Sequence, residues 1–114
     1  MSKAEQKQID AWKKEHNVAE IHEIIVLKPK AEQKDTKKIE FDEFYAYAKK
    51  PSIQVLGLVR KFEESDPAKS WEILYSNTKI HVDTEIENDD ELKMAVIAQM
   101  TNLFTHYLSS VKKL

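Results

Sequence analysis

The spacing of apolar residues changes once along the chain, at the stretch Tyr45-Ala46-Tyr47-Ala48-Lys49-Lys50-Pro51-Ser52. Before it, apolar positions alternate as in strands; after it, they recur at helical spacing almost to the end. Ahead of the first strand, a thin apolar face of Ile9, Trp12 and His16 predicts a surface helix over 3–16. Ser2 and Glu5 stand at capping-box spacing for its start, and Asn17 suits its stop. Trp12 is expected to dock this helix, or to anchor a partner. Ile21, Glu23, Ile25 and Leu27 alternate with Glu20, His22, Ile24 and Val26, which predicts a strand over 19–28. Both faces turn apolar near its end, so that end is expected to be covered on two sides. A polar segment over 30–38 precedes a second strand, in which Ile39, Phe41, Tyr45 and Tyr47 share one parity. Glu43 among them and Phe44 on the other side suggest a bulge. The two runs form an antiparallel hairpin with a long tip.

Helical periodicity takes over at Pro51. Val55, Leu56, Leu58, Val59 and Phe62 predict a helix over 51–64, with Pro51 in its first turn and Gly57 placed for close approach by another element. Asp66-Pro67 is an N-cap and first-turn pair for a helix over 67–76, with Asn77 as its stop. An extended link over 79–87 is expected to plug Ile80, Val82 and Ile86 into the core while Asp83, Glu85 and Glu87 face water. Asn88 and Glu91 form a capping box for the last helix, over 89–112. Its face of Val96, Met100, Leu103, Phe104, Tyr107, Val111 and Leu114 is continuous, and Leu92, Ala95, Ile97, Ala98 and Leu108 widen it. Such breadth suits burial on two sides, by the domain and by a second chain in a homo-oligomer. The predicted fold class is α+β: an N-terminal helix over 1–17, a β-hairpin over 19–48, and a three-helix part over 51–114 with a long last helix. With 114 residues, one domain is expected.

Composition narrows the function classes. The 18 basic and 20 acidic side chains give a net charge of −2, which argues against a dedicated nucleic-acid binder. No cysteine is present, so disulfides and thiolate chemistry are excluded, in keeping with a reducing cytoplasm. The longest apolar run, Ile24-Ile25-Val26-Leu27, falls far short of a membrane span. A single glycine leaves no phosphate-cradling loop. His16, His22, His81 and His106 show no metal-ligand spacing, and the acidic segment over 83–91 lacks the glycine of a calcium loop. No nucleophile elbow and no pocketed carboxylate pair is legible. The chain is therefore expected to be non-enzymatic and to need no cofactor or metal. Two surfaces remain. Lys28, Lys30, Lys34, Lys37 and Lys38, with Tyr45 and Tyr47 as stacking rings, would suit single-stranded nucleic acid. Interleaved Glu32, Asp35 and Glu40 favour a solvated hairpin tip instead. Trp12 with Val96, Met100, Leu103, Phe104 and Tyr107 would supply either core or a protein-binding groove.

The order of short motifs adds a resemblance: Trp12-Lys13-Lys14, the first strand, Phe44-Tyr45-Ala46-Tyr47-Ala48-Lys49-Lys50-Pro51, Asp66-Pro67-Ala68-Lys69, Leu74-Tyr75-Ser76-Asn77, and a last helix closing in Lys112-Lys113-Leu114. Over nearly the whole chain this resembles the tail assembly chaperone-like small proteins of bacteriophages and prophages. In that group a hairpin feeds an aromatic, basic, proline junction into a helical bundle. The helix after the junction carries basic residues early there; here Ser52, Ile53 and Gln54 stand. The resemblance implies a protein of the bacterial host cytoplasm that keeps the helical tape measure protein soluble while tail tube subunits assemble. Such work needs exposed apolar surface for an amphipathic helix and a charged exterior.

Overall fold

The computed structural model describes residues 3–30 and 39–112, the side chains of 103–112 excepted. The elements follow the order α1 (Gln6–Glu15), β1 (His22–Pro29), β2 (Phe41–Ala48), α2 (Ile53–Phe62), α3 (Pro67–Thr78), β3 (Lys79–Val82), α4 (Thr84–Glu87) and α5 (Asp90–Lys112). The fold class is α+β, as the periodicity predicts. Part of the link read as extended is a third strand, and β2 lies at the centre of an antiparallel sheet in the order β1-β2-β3.

The register decides which side of the sheet faces the helices. Ile24 pairs with Ala46 and His22 with Ala48. Ile24, Val26, Ala46 and Ala48 are buried in one core with Leu74 and Tyr75 of α3, Ile86 of α4, and Leu92, Val96, Ile97 and Met100 of α5. The small alanines let the helical layer approach β2 closely. The expected bulge between Phe41 and Tyr45 is absent: β2 keeps unbroken register with β1 from Phe41 to Ala48. The irregularity lies at Tyr47/Ala48, on the side facing β3. Glu43 needs no bulge, because its side of β2 faces away from α3, α4 and α5.

The caps correct several expectations. α1 starts at Gln6, and its N-cap Glu5 makes no side-chain cap bond. Its end is a Schellman motif: Asn17 takes φ 53°, and the Asn17 and Val18 amides donate to the Lys14 and Lys13 carbonyls. Pro51 lies two residues before α2, whose N-cap Ser52 accepts from the Val55 amide at 3.3 Å. A Cβ on Gly57 would meet nothing among the described residues, so no described element approaches it. Asp66 caps α3 through the Lys69 amide with Pro67 following, as the sequence predicts. Asn77 does not stop α3; it lies in the last turn and donates to the Ile73 carbonyl. At α5 the cap is Asp89 rather than Asn88, because Asp89 Oδ1 accepts from the Glu91 and Leu92 amides.

Asp83 overturns the expectation that it faces water. It is buried, and its Oδ2 accepts the Tyr45 amide at 2.6 Å while its own amide donates to the Tyr45 carbonyl at 3.0 Å. The Asp83 carbonyl is already turned into α4, where the Ile86 amide bonds it. The carboxylate thus replaces the carbonyl that an unbroken strand would have offered.

Candidate functional site

The outer face of the sheet, opposite the core, divides into a covered end and an open end. At the covered end α1 lies over Tyr47 and His81, which pair across β2 and β3. The Trp12 ring stands 5.1 Å from Tyr47 and stacks on His81 at 5.3 Å. The Tyr47 hydroxyl accepts from the Ala4 amide at 2.8 Å and donates to Glu23 Oε2 at 3.0 Å. Burial, with Glu23 opposing loss of the proton, pushes the Tyr47 phenol up despite the Ala4 amide. Trp12 is therefore engaged within the chain, as the helix anchor.

Toward the hairpin tip nothing described covers the same face. Ile25 is 49% exposed, Leu27 53%, Phe41 45% and Ile39, just before β2, 58%. Pro29 pairs with Phe41, Leu27 with Glu43 and Ile25 with Tyr45, so these side chains share one face. This corrects the expectation that the end of β1 is covered on both sides: Ile24 and Val26 are buried, and Ile25 and Leu27 are not. Tyr45 borders the row, and its hydroxyl donates to Glu43 Oε2 at 2.6 Å. That bond is the main reason the phenol is pushed up to about 12, so Tyr45 remains a neutral donor.

Mixed charge lies at the same end of the hairpin but on the opposite face, where Lys28 pairs with Asp42 in the parity of Val26. Lys28 Nζ donates to Asp89 Oδ2 at 2.8 Å, which raises the lysine pKa and lowers that of the aspartate. Lys30 lies 3.7 Å from Glu40 and 4.0 Å from Asp42. For the alternative nucleic-acid surface, this means that Lys28 and Lys30 meet carboxylates, and that Tyr45 and Tyr47 bond Glu43 and Glu23. Among the described residues, neither ring has a lysine beside it that is not already paired with a carboxylate; Lys34, Lys37 and Lys38 lie outside the described residues.

Of the residues placed on the last helix as a groove, Val96 and Met100 are fully buried in the core. The face that breadth suggested is an interior one over this part of α5, and partner contact there requires opening the core. The side chains of Leu103, Phe104 and Tyr107 lie outside the described residues. Periodicity groups Ile25 with Leu27 and Ile39 with Phe41 without marking either pair as a site. The signal was present in Ala46 and Ala48, whose small side chains mark the closely packed side and so assign the opposite parity to solvent.

Other clusters are structural. Tyr75 carries Lys79 and Lys93 over its ring at 4.8 Å each, and these lysines pair with Glu87 and Glu72. Burial opposes ionisation of Glu87, but the Lys79 bond and its neighbours outweigh that and lower its pKa. Among the described residues no group of three or more histidine, aspartate or glutamate side chains could hold a metal ion. No described helix is long and apolar enough to cross a membrane. In comparisons with protein-family models, curated proteins and solved structures, nothing matches the chain.

Proposed function

We propose that the chain is a non-enzymatic, tail assembly chaperone-like protein that holds an amphipathic helix of its partner, such as the tape measure protein, against the open end of its hairpin. The observation that carries this reading is the exposed row Ile25, Leu27, Phe41 and Ile39. A row of that kind is costly to leave in water and marks a binding surface. Its spacing fits a helix: alternate strand residues stand about 6.8 Å apart, and helix residues four apart rise about 6.0 Å. Leu27 and Ile25 can therefore each receive one apolar side chain from successive turns of one helix. Glu43, which pairs with Leu27 on the same face, offers negative charge to a polar flank of that helix. The motif order that resembles the phage chaperones is what points to the tape measure protein as that partner.

Co-expression with the tape measure protein tests the reading. The native chain is expected to bring that protein into the soluble fraction, and the double variant Leu27→Lys, Phe41→Lys to leave it insoluble. Equal solubilisation by the variant, with its own melting temperature unchanged, would overturn the assignment of this face.

A further inference from the structure

We propose that two copies of this chain pair antiparallel along β1, with Val26 on the two-fold axis, to make one sheet continuous across the pair. The order β1-β2-β3 leaves one edge of β1 without a neighbouring strand among the described residues. The Lys30 amide donates to the Glu40 carbonyl, which fixes the phase of the β1–β2 ladder. Even-numbered residues of β1 turn their amides and carbonyls toward β2, and Glu23, Ile25 and Leu27 turn theirs to the open edge. None of those three amides donates to another described residue.

Edge strands are usually guarded by an outward lysine or a proline within the strand. Here Lys28 is drawn away to Asp89, and Pro29 stands only at the end. The central edge is bare.

Self-complementarity selects the occupant and the register. With Val26 on the axis, Ile25 of each copy faces Leu27 of the other, apolar against apolar, and exchanges both main-chain bonds with it. Glu23 faces Pro29 of the second copy; its amide reaches the proline carbonyl, and no amide is left there to go unmet. Centring on Ile25 would press the Glu23 carboxylate against Leu27, although that carboxylate serves Tyr47. Centring on Leu27 would set Ile25 against Pro29, which returns no bond, and would leave Glu23 beyond the end of the facing β1 with nothing to pair with there. Centring on Ile24 would set Leu27 against Ile21, which lies before the start of β1. The favoured register joins Ile25, Leu27 and Phe41 of both copies into one apolar outer face and places both α5 helices beneath the joined sheet.

The test needs no helical partner, so its failure would leave the docking reading standing. Amide hydrogen exchange and light scattering are followed on the native chain from dilute to concentrated solution. The mass is expected to double, and exchange at the Ile25 and Leu27 amides to slow about tenfold when nine chains in ten are paired. The Ile24 and Val26 amides, bonded to β2, are expected to stay protected throughout. Ile25→Pro, which deletes an edge donor and no bond to β2, is expected to remain a monomer with unchanged sheet content. If that variant fails to fold, exchange on the native chain decides alone. A concentration-independent monomer overturns the proposal, as does doubling with no added protection at Ile25 and Leu27. Protection at both amides in a monomer also overturns it, since the chain itself would then cover the edge.

Discussion

At the residue scale, Asp83 shows how one side chain closes a ladder that the backbone cannot. Its carbonyl belongs to α4, so only its carboxylate can meet the buried Tyr45 amide. Asp83→Ala is expected to destabilise the chain by about 1–3 kcal/mol, the range for an unmet buried donor, in urea unfolding. Asp83→Asn keeps an acceptor and is expected to lose less. Gly57 makes the opposite case. It stands inside α2 with open space around its missing Cβ, so Gly57→Ala is expected to stabilise by about 1 kcal/mol through helix propensity alone. The pair Lys28–Asp89 sets a pH dependence. The folded Asp89 carboxyl lies below its ordinary value of 3.8, so its stabilisation is full above that value and fades as pH falls toward the lower folded one. The Lys28 pKa is raised above 10.5, so its share is full below 10.5 and fades as pH rises through the higher folded value. The native chain is therefore expected to exceed Asp89→Asn in melting temperature at neutral pH, and the gap to close in acid below 3.8. Because both side chains are partly exposed, added salt is expected to narrow the gap as well.

At the scale of elements, the helices were legible because caps and periodicity agree. Asp66-Pro67 and the series Leu92, Val96, Met100 place α3 and α5 to within a residue or two. Strand parity was harder to read. Aromatic residues on Phe41, Tyr45 and Tyr47 draw attention to their own side, yet the helical layer lies against Ala46 and Ala48. Burial of a strand face depends on what can pack on it, and small residues permit close packing that pattern alone does not reveal. β3 was illegible for a related reason: four residues leave little room for alternation, and the pairing with β2 is a long-range choice. α1 shows how a helix without a single buried residue is still held, by the contacts of Trp12 with Tyr47 and His81. Trp12→Ala is expected to release α1, seen as faster amide exchange and proteolysis over Gln6–Glu15, with the sheet and α5 left folded.

At the scale of the whole molecule, the proposed function rests on the division of faces. The core absorbs Val96 and Met100, for which the sequence left core and groove open. α1 closes one end of the outer face and leaves Ile25, Leu27, Phe41 and Ile39 open at the other. The candidate site was only half legible for that reason. The run Ile24-Ile25-Val26-Leu27 announces apolar surface on two faces, but which face stays open depends on where α1 comes to rest. Long-range contacts from Ala4 and Trp12 to β2 decide that. The most direct test of this account is an amide chemical-shift titration of the chain with a soluble amphipathic segment of the tape measure protein. The account predicts saturable shifts that cluster on Ile25, Leu27, Ile39 and Phe41 and that vanish in Leu27→Lys. Shifts confined to α2, α3 or α5, with the hairpin unmoved, would contradict it.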